Sequence, residues 1–134
     1  MSIDLKLEYL LSGKPARVMQ LLTDPVLIRK WSGEEGIAEQ KEGGKFGMFD
    51  GWVTGQVLKA TDNELVVTWL PGDWEDGTPP SEVHFLLKPH AAGTQLLLTH
   101  SGFPNEKERD SHKTGWADFY FDPMEDFMLI IDKS

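Results

Sequence analysis

Residues 81–121 read SEVHFLLKPHAAGTQLLLTHSGFPNEKERDSHKTGWADFYF. Two strand-like runs, Ser81–Lys88 and Thr94–Ser101, flank a compact turn at Pro89–Gly93. They should pair as an antiparallel hairpin. Side chains alternate along a strand, so Val83, Phe85 and Leu87 share one face of the first run, and Leu96, Leu98 and His100 share one face of the second. Phe103-Pro104-Asn105 ends the second run, and Asn105 followed by Glu108 is a helix-start signal. On the helix that follows, Trp116, Tyr120, Phe127 and Ile131 recur at steps of three or four residues or their multiples, with Phe119 and Met124 widening the stripe. Pro123 has no N–H to donate to residue 119, which predicts a kink or a break there.

Further strand-like runs precede this segment. Lys45–Asp50 and Trp52–Ala60 are joined at Asp50-Gly51, a strong hairpin signal, and Glu64–Leu70 follows the Asp62-Asn63 turn. Phe46 and Met48 share a face, as do Val53, Gly55 and Val57, and Leu65, Val67 and Trp69. Gly55 inside a strand points to a bend, a bulge or the close approach of another group. Pro71–Pro80 is long for a hairpin loop and carries Asp73, Trp74, Glu75 and Asp76. Trp74 there is either a lid that anchors the loop or an exposed partner contact.

Near the start, Ile3–Leu10 alternates as a half-buried strand, and Lys14–Leu22 reads as a short helix opened by Pro15. A second short helix starts at Asp24-Pro25, buries Val26, Leu27 and Trp31, and stops at Gly33. Gly36–Gln40 is a further short strand. The order is strand, two short helices, some six strands and one long helix. That is an α+β grip: a curved antiparallel sheet of about seven strands with the C-terminal helix across its concave side.

At 134 residues the expectation is one domain. The absence of cysteine rules out disulfides, thiolate metal sites and a cysteine nucleophile, and it fits a reducing cytoplasm. Net charge is −9, with 13 basic against 22 acidic residues, and the basic ones are scattered. Such a surface repels phosphate backbones and anionic membranes, so neither nucleic acid nor membrane is an expected partner. No apolar run approaches the ~20 residues needed to span a bilayer, and no signal segment is visible.

The residues that carry a resemblance are Trp31, Gly43-Gly44-Lys45-Phe46, Asp50-Gly51-Trp52-Val53-Thr54-Gly55-Gln56-Val57 and Leu65-Val66-Val67-Thr68-Trp69. They continue with Asp73-Trp74-Glu75-Asp76-Gly77, Ser81-Glu82-Val83, Gly93-Thr94-Gln95-Leu96-Leu97-Leu98-Thr99-His100 and Gly115-Trp116-x-x-Phe119-Tyr120-Phe121. In this order, from about Ile3 to Ile131, the chain resembles the activator of heat-shock protein 90 ATPase homologue family, within the START-like (SRPBCC) superfamily of birch-pollen-allergen-like domains. The resemblance implies a helix-grip fold with a space between sheet and helix, used in the superfamily for lipids, hormones or polyketides. It also implies a chaperone as partner, although the eukaryotic co-chaperone has a separate N-terminal domain for that contact, for which this chain has no room. Single-domain relatives are mostly bacterial. No cofactor is implied.

The candidate site is the space beneath the helix. Trp31, Phe46, Met48, Val53, Trp69, Val83, Phe85, Leu98, Trp116, Tyr120 and Met124 would line an apolar pocket, with His100 and the Tyr120 hydroxyl as polar contacts. The same residues would equally build a solid core. A small hydrophobic ligand is the leading expectation and a chaperone partner the alternative; an enzyme of the cyclase or dehydratase type, with His100 as general base, comes third. No second catalytic group accompanies His100 at a meaningful spacing, since Ser101 points to the opposite face. His84 and His100 should also face opposite sides, so no metal pair is expected; His90 and His112 read as solvated.

Overall fold

Alternating burial along five consecutive strands builds one seven-stranded sheet in the computed structural model, which describes residues 2–131. The elements are β1 (Leu5–Leu11), α1 (Pro15–Thr23), α2 (Pro25–Ser32), β2 (Ile37–Ala38), β3 (Lys45–Met48), β4 (Val53–Ala60), β5 (Glu64–Pro71), β6 (Ser81–His90) and β7 (Gly93–Ser101). They are followed by α3 (Glu106–Trp116), a π-helical turn (Ala117–Phe121) and α4 (Asp122–Ile130). The sheet runs β1-β7-β6-β5-β4-β3-β2, and all its pairs are antiparallel. β1 returns to pair with β7, so the first strand forms one edge of the sheet beside the last.

Burial follows the period of two. In β5 Leu65, Val67, Trp69 and Pro71 are buried while their neighbours are half exposed, and β6 and β7 alternate likewise. The buried faces of these strands look toward α3, the π turn and α4. The first two helices close one end: α1 packs on β6 and β2, and α2 packs on α4. Asp24 caps α2 by accepting from the backbone N–H groups of Val26 (2.8 Å) and Leu27 (3.3 Å), and Gly33 ends it in the left-handed conformation at φ 78°.

Gly55 is a close-approach glycine. A Cβ there would fall onto the Thr68 carbonyl of β5, and a register shift between Val57 and Lys59 bends the same strand pair.

Three expectations need correction. The buried side of α2 is Ile28 and Trp31; Val26 lies in the first turn and is 62 % exposed, and Leu27 is half-buried. The Asp50-Gly51 hairpin is wider than a two-residue turn, with strands ending at Met48 and resuming at Val53. Within it Phe49 and Asp50 both adopt φ 56°. Asp50 tolerates this because Glu35 holds it from both sides: the Asp50 N–H donates to the Glu35 carbonyl (3.0 Å), and Asp50 Oδ1 accepts from the Glu35 N–H (2.7 Å). The bulky Phe49 has no such local compensation and is a genuine backbone outlier.

The long helix is interrupted where Pro123 predicts a kink or a break, by the π-helical turn, and the expected stripe changes with it. The Asp122 N–H donates to the carbonyl of Ala117, five residues back. This wide turn moves the Phe119 carbonyl clear of the Pro123 ring, which in a regular helix would collide with it. The extra residue rotates the second half of the helix, so Tyr120 and Phe121 are both buried, followed by Met124, Phe127 and Met128. Phe119 (63 % exposed) and Ile131 therefore lie on the outside rather than in the stripe.

Candidate functional site

Large apolar residues on β3 to β7 meet the aromatic stripe of the last helix, and the rings pack directly. Trp69 lies 4.8 Å from Trp116, Trp116 lies 4.8 Å from Tyr120, and Tyr120 lies 5.2 Å from Trp31 (ring centroids). Phe85 meets Trp116 edge-on at 5.7 Å, and Phe46 lies 5.9 Å from Trp69. All twelve residues expected to line the space are buried: Trp31, Phe46, Met48, Val53, Trp69, Val83, Phe85, Leu98, His100, Trp116, Tyr120 and Met124. They pack as interior side chains.

Two histidines are wired into this cluster by indole donors. Trp116 Nε1–H donates to His100 Nδ1 (3.2 Å). His100 must then carry its hydrogen on Nε2, where Ser81 Oγ lies at 2.8 Å. The Ser81 hydroxyl in turn donates to the Trp69 carbonyl (2.8 Å). His100 thus has no free lone pair, and the serine proton is committed elsewhere, which removes the geometry a general base needs. The sequence overlooked Ser81 as a partner, because it lies on the neighbouring strand, opposite Trp69 in the β5–β6 register.

His112 is the larger surprise: it is buried, at 9 % exposure, not solvated. Trp69 Nε1–H donates to His112 Nε2 (3.2 Å), and His112 Nδ1–H donates to the Glu108 carbonyl (2.9 Å). The two imidazoles carry opposite tautomers with centroids 5.2 Å apart. Burial pushes His100 down to about 2, with His112 adding to the effect. Burial also lowers His112, opposed by the Glu108 carbonyl and by the Glu108 and Asp73 carboxylates. Both are neutral at physiological pH.

All five tryptophans find an acceptor for their N–H. Trp74 Nε1–H donates to Glu108 Oε1 (2.8 Å), which clips the Pro71–Pro80 loop over α3; of its two readings the lid is the one seen. Trp52 Nε1–H donates to Asp73 Oδ1 (3.1 Å) on the same loop. His84 sits on the other face of β6 with Nε2 2.7 Å from Glu64 Oε2, well apart from His100.

A cleft of about 100 Å³ opens from the cluster to solvent between the β3–β4 turn and the end of α3. Trp69, Trp116 and Tyr120 line it together with Phe49, Trp52, Ser111, His112, Gly115 and Phe119, six residues the sequence reading had not assigned to the site. The left-handed backbone at Phe49 swings its ring onto Tyr120, edge-on at 5.7 Å. Phe119, turned outward by the π turn, forms the opposite wall. The Tyr120 hydroxyl has no hydrogen-bond partner among the described residues. Since no sealed side-chain oxygen is left unpaired among the described residues, this hydroxyl keeps a trace of solvent contact, and Tyr120 is one of the residues that line the cleft. Burial raises the Tyr120 phenol far above its ordinary range, so it stays protonated.

A curved antiparallel sheet gripping an aromatic C-terminal helix is the helix-grip class, and solved structures agree. A protein of Mesorhizobium loti superposes with a TM-score of 0.81 at 26 % identity, over 98 % of this chain and 100 % of its own. Residues 12–128 match the family described as Activator of Hsp90 ATPase homolog 1-like protein, and the chain belongs to that family. The mouse Activator of 90 kDa heat shock protein ATPase homolog 2 is 28 % identical over 123 residues. That match takes in 90 % of this chain but only 36 % of the mouse protein, so the chain spans about a third of that relative's length. An HSP90 activator from Plasmodium falciparum superposes with a TM-score of 0.76 at 25 % identity, covering 98 % of this chain and 96 % of its own.

Proposed function

We propose that the chain is a chaperone-associated interaction module of the heat-shock protein 90 ATPase activator type. The observation that carries this reading is the plasmodial structure: a protein described as an HSP90 activator is matched over 96 % of its chain by this one. A single helix-grip unit of this length is thus compatible with that role, despite the greater length of the mouse relative. The packed interior supports the same reading, because ligand pockets run ~300–1,000 Å³ and the open cleft measures about 100 Å³. A lipid or polyketide has no such volume there, and the larger hollows, of about 310 to 600 Å³, are open clefts on the outside of the fold, which favours the surface as the working part. That surface carries a net charge of −9, suited to a basic patch on a partner and to rapid, salt-sensitive encounter.

The test is a titration of the cell's heat-shock protein 90 homologue with the full chain, read as ATPase rate. A saturable change in rate that weakens as salt is raised supports the reading; no binding and no change at tens of micromolar rejects it.

A second reading, a small hydrophobic ligand, is favoured by one specific observation: the unpartnered Tyr120 hydroxyl at an apolar cleft. In that reading Trp69, Trp116 and Tyr120 touch the ligand. Trp31, Phe46, Met48, Val53, Val83, Phe85, Leu98, His100 and Met124 hold those three in place.

A further inference from the structure

We propose that the cleft binds a single-ring, uncharged molecule bearing one hydrogen-bond acceptor, an aryl ketone or aldehyde being the type. This rests on the small-ligand reading and narrows it to a chemical class.

Size sets the first limit. An apolar cavity of ~150 Å³ holds one benzene, and this cleft measures about 100 Å³ behind an open mouth. At about two-thirds of that volume the cleft takes a single ring only with part of the molecule left in the open mouth, and a fused system or an acyl chain is excluded. The walls set the second. Phe49, Trp52 and Phe119 present rings at the entrance, and Trp52 and Phe119 leave substantial apolar area in water. Phe49 is held there by a left-handed backbone at φ 56°, a conformation that a bulky residue rarely adopts. Strain of that kind persists where the surroundings over-determine it, and here it shapes the wall of the cleft.

Polarity sets the third limit. The indole N–H groups of Trp52, Trp69 and Trp116 are all donated within the protein, and both His112 nitrogens are bonded. Two hydroxyls are left over: that of Ser111, which is exposed to water, and that of Tyr120, on a side chain with 2 % exposure, where a ligand oxygen has no water to compete with. A phenol donates more strongly than it accepts, because its oxygen lone pair is delocalised into the ring, so its complement is an acceptor. An anion would meet the acidic surface and the Asp73 carboxylate at the rim.

The experiment titrates the full chain by NMR with acetophenone and with α-methylstyrene, which replaces the ketone oxygen by a methylene at nearly the same shape. Both should shift the Trp52 and Trp69 indole N–H signals saturably. Tyr120→Phe, which keeps the packed ring, should weaken acetophenone about fivefold, the usual net worth of one hydrogen bond, and leave α-methylstyrene unchanged. Equal effects on the two probes would overturn the acceptor assignment while the small-ligand reading stands; failure of both probes to shift the cleft signals overturns both readings. Benzylammonium serves as the charged arm, and a larger Tyr120→Phe effect on it than on acetophenone also overturns the assignment. None of these outcomes depends on the chaperone assay.

Discussion

His100 shows how one residue can be read rightly for its place and wrongly for its company. Its parity with Leu96 and Leu98 was legible, because period two fixes which face a strand residue takes, and it is fully buried. Its bonds to Ser81 and Trp116 were not legible, since they depend on inter-strand register and on where the helix crosses. His112 was misread for a related reason: His112, Trp116 and Tyr120 stand at steps of four, one stripe of a helix, yet a polar residue among Lys and Glu reads as surface.

The pair has a pH consequence. Above about 6.5 both histidines are neutral folded and unfolded. Below it the unfolded chain takes up protons that the native His100, with its value near 2, refuses. The unfolded state then binds more protons, so stability falls as pH falls, by about 1.4 kcal/mol per unit. From pH 7 to 5 His100 should cost the fold about 2 kcal/mol, with His112 acting in the same direction. Urea unfolding at the two pH values measures it, and His100→Gln should flatten the dependence while lowering stability at pH 7. Gly55→Ala is a second test at this scale. Its methyl meets the Thr68 backbone rather than a pliable side chain, so a loss of about 1–3 kcal/mol in unfolding free energy is expected.

At the scale of elements, the succession of strands along the chain and the two short helices could be read from alternation, Asp24-Pro25 and Gly33, all local signals, whereas the pairing of β1 with β7 could not. What escaped was irregular geometry with long-range causes. Pro123 announced a disturbance, but whether it would be answered by a kink or by a π turn depends on what the sheet needs beneath it; here the π turn seats both Tyr120 and Phe121. Phe49 escaped because a bulky residue at positive φ is disfavoured by every local rule. The Pro71–Pro80 loop is latched to α3 by one side-chain hydrogen bond, Trp74 to Glu108, while Trp52 holds Asp73 near its start. Glu108→Ala should free it: amide exchange at residues 72–80 should quicken markedly, while global stability drops by about 1 kcal/mol. Hydrogen exchange with mass detection separates the two effects.

At the scale of the molecule, the fold was legible almost end to end and the state of its interior was not. A hollow grip and a filled one put the same apolar residues on the same faces, and only packing tells them apart. Here the rings fill the grip and leave a cleft of about 100 Å³, while the surface carries nine net negative charges. Among the described residues no helix is long and apolar enough to cross a membrane. These properties together favour a module that works through its surface. The most direct measurement is the ATPase rate of the heat-shock protein 90 homologue against rising concentrations of the full chain, at low and at high salt. A saturable change in rate that shrinks as salt rises is the predicted result. A flat rate at every concentration, with no binding by calorimetry at tens of micromolar, would contradict it.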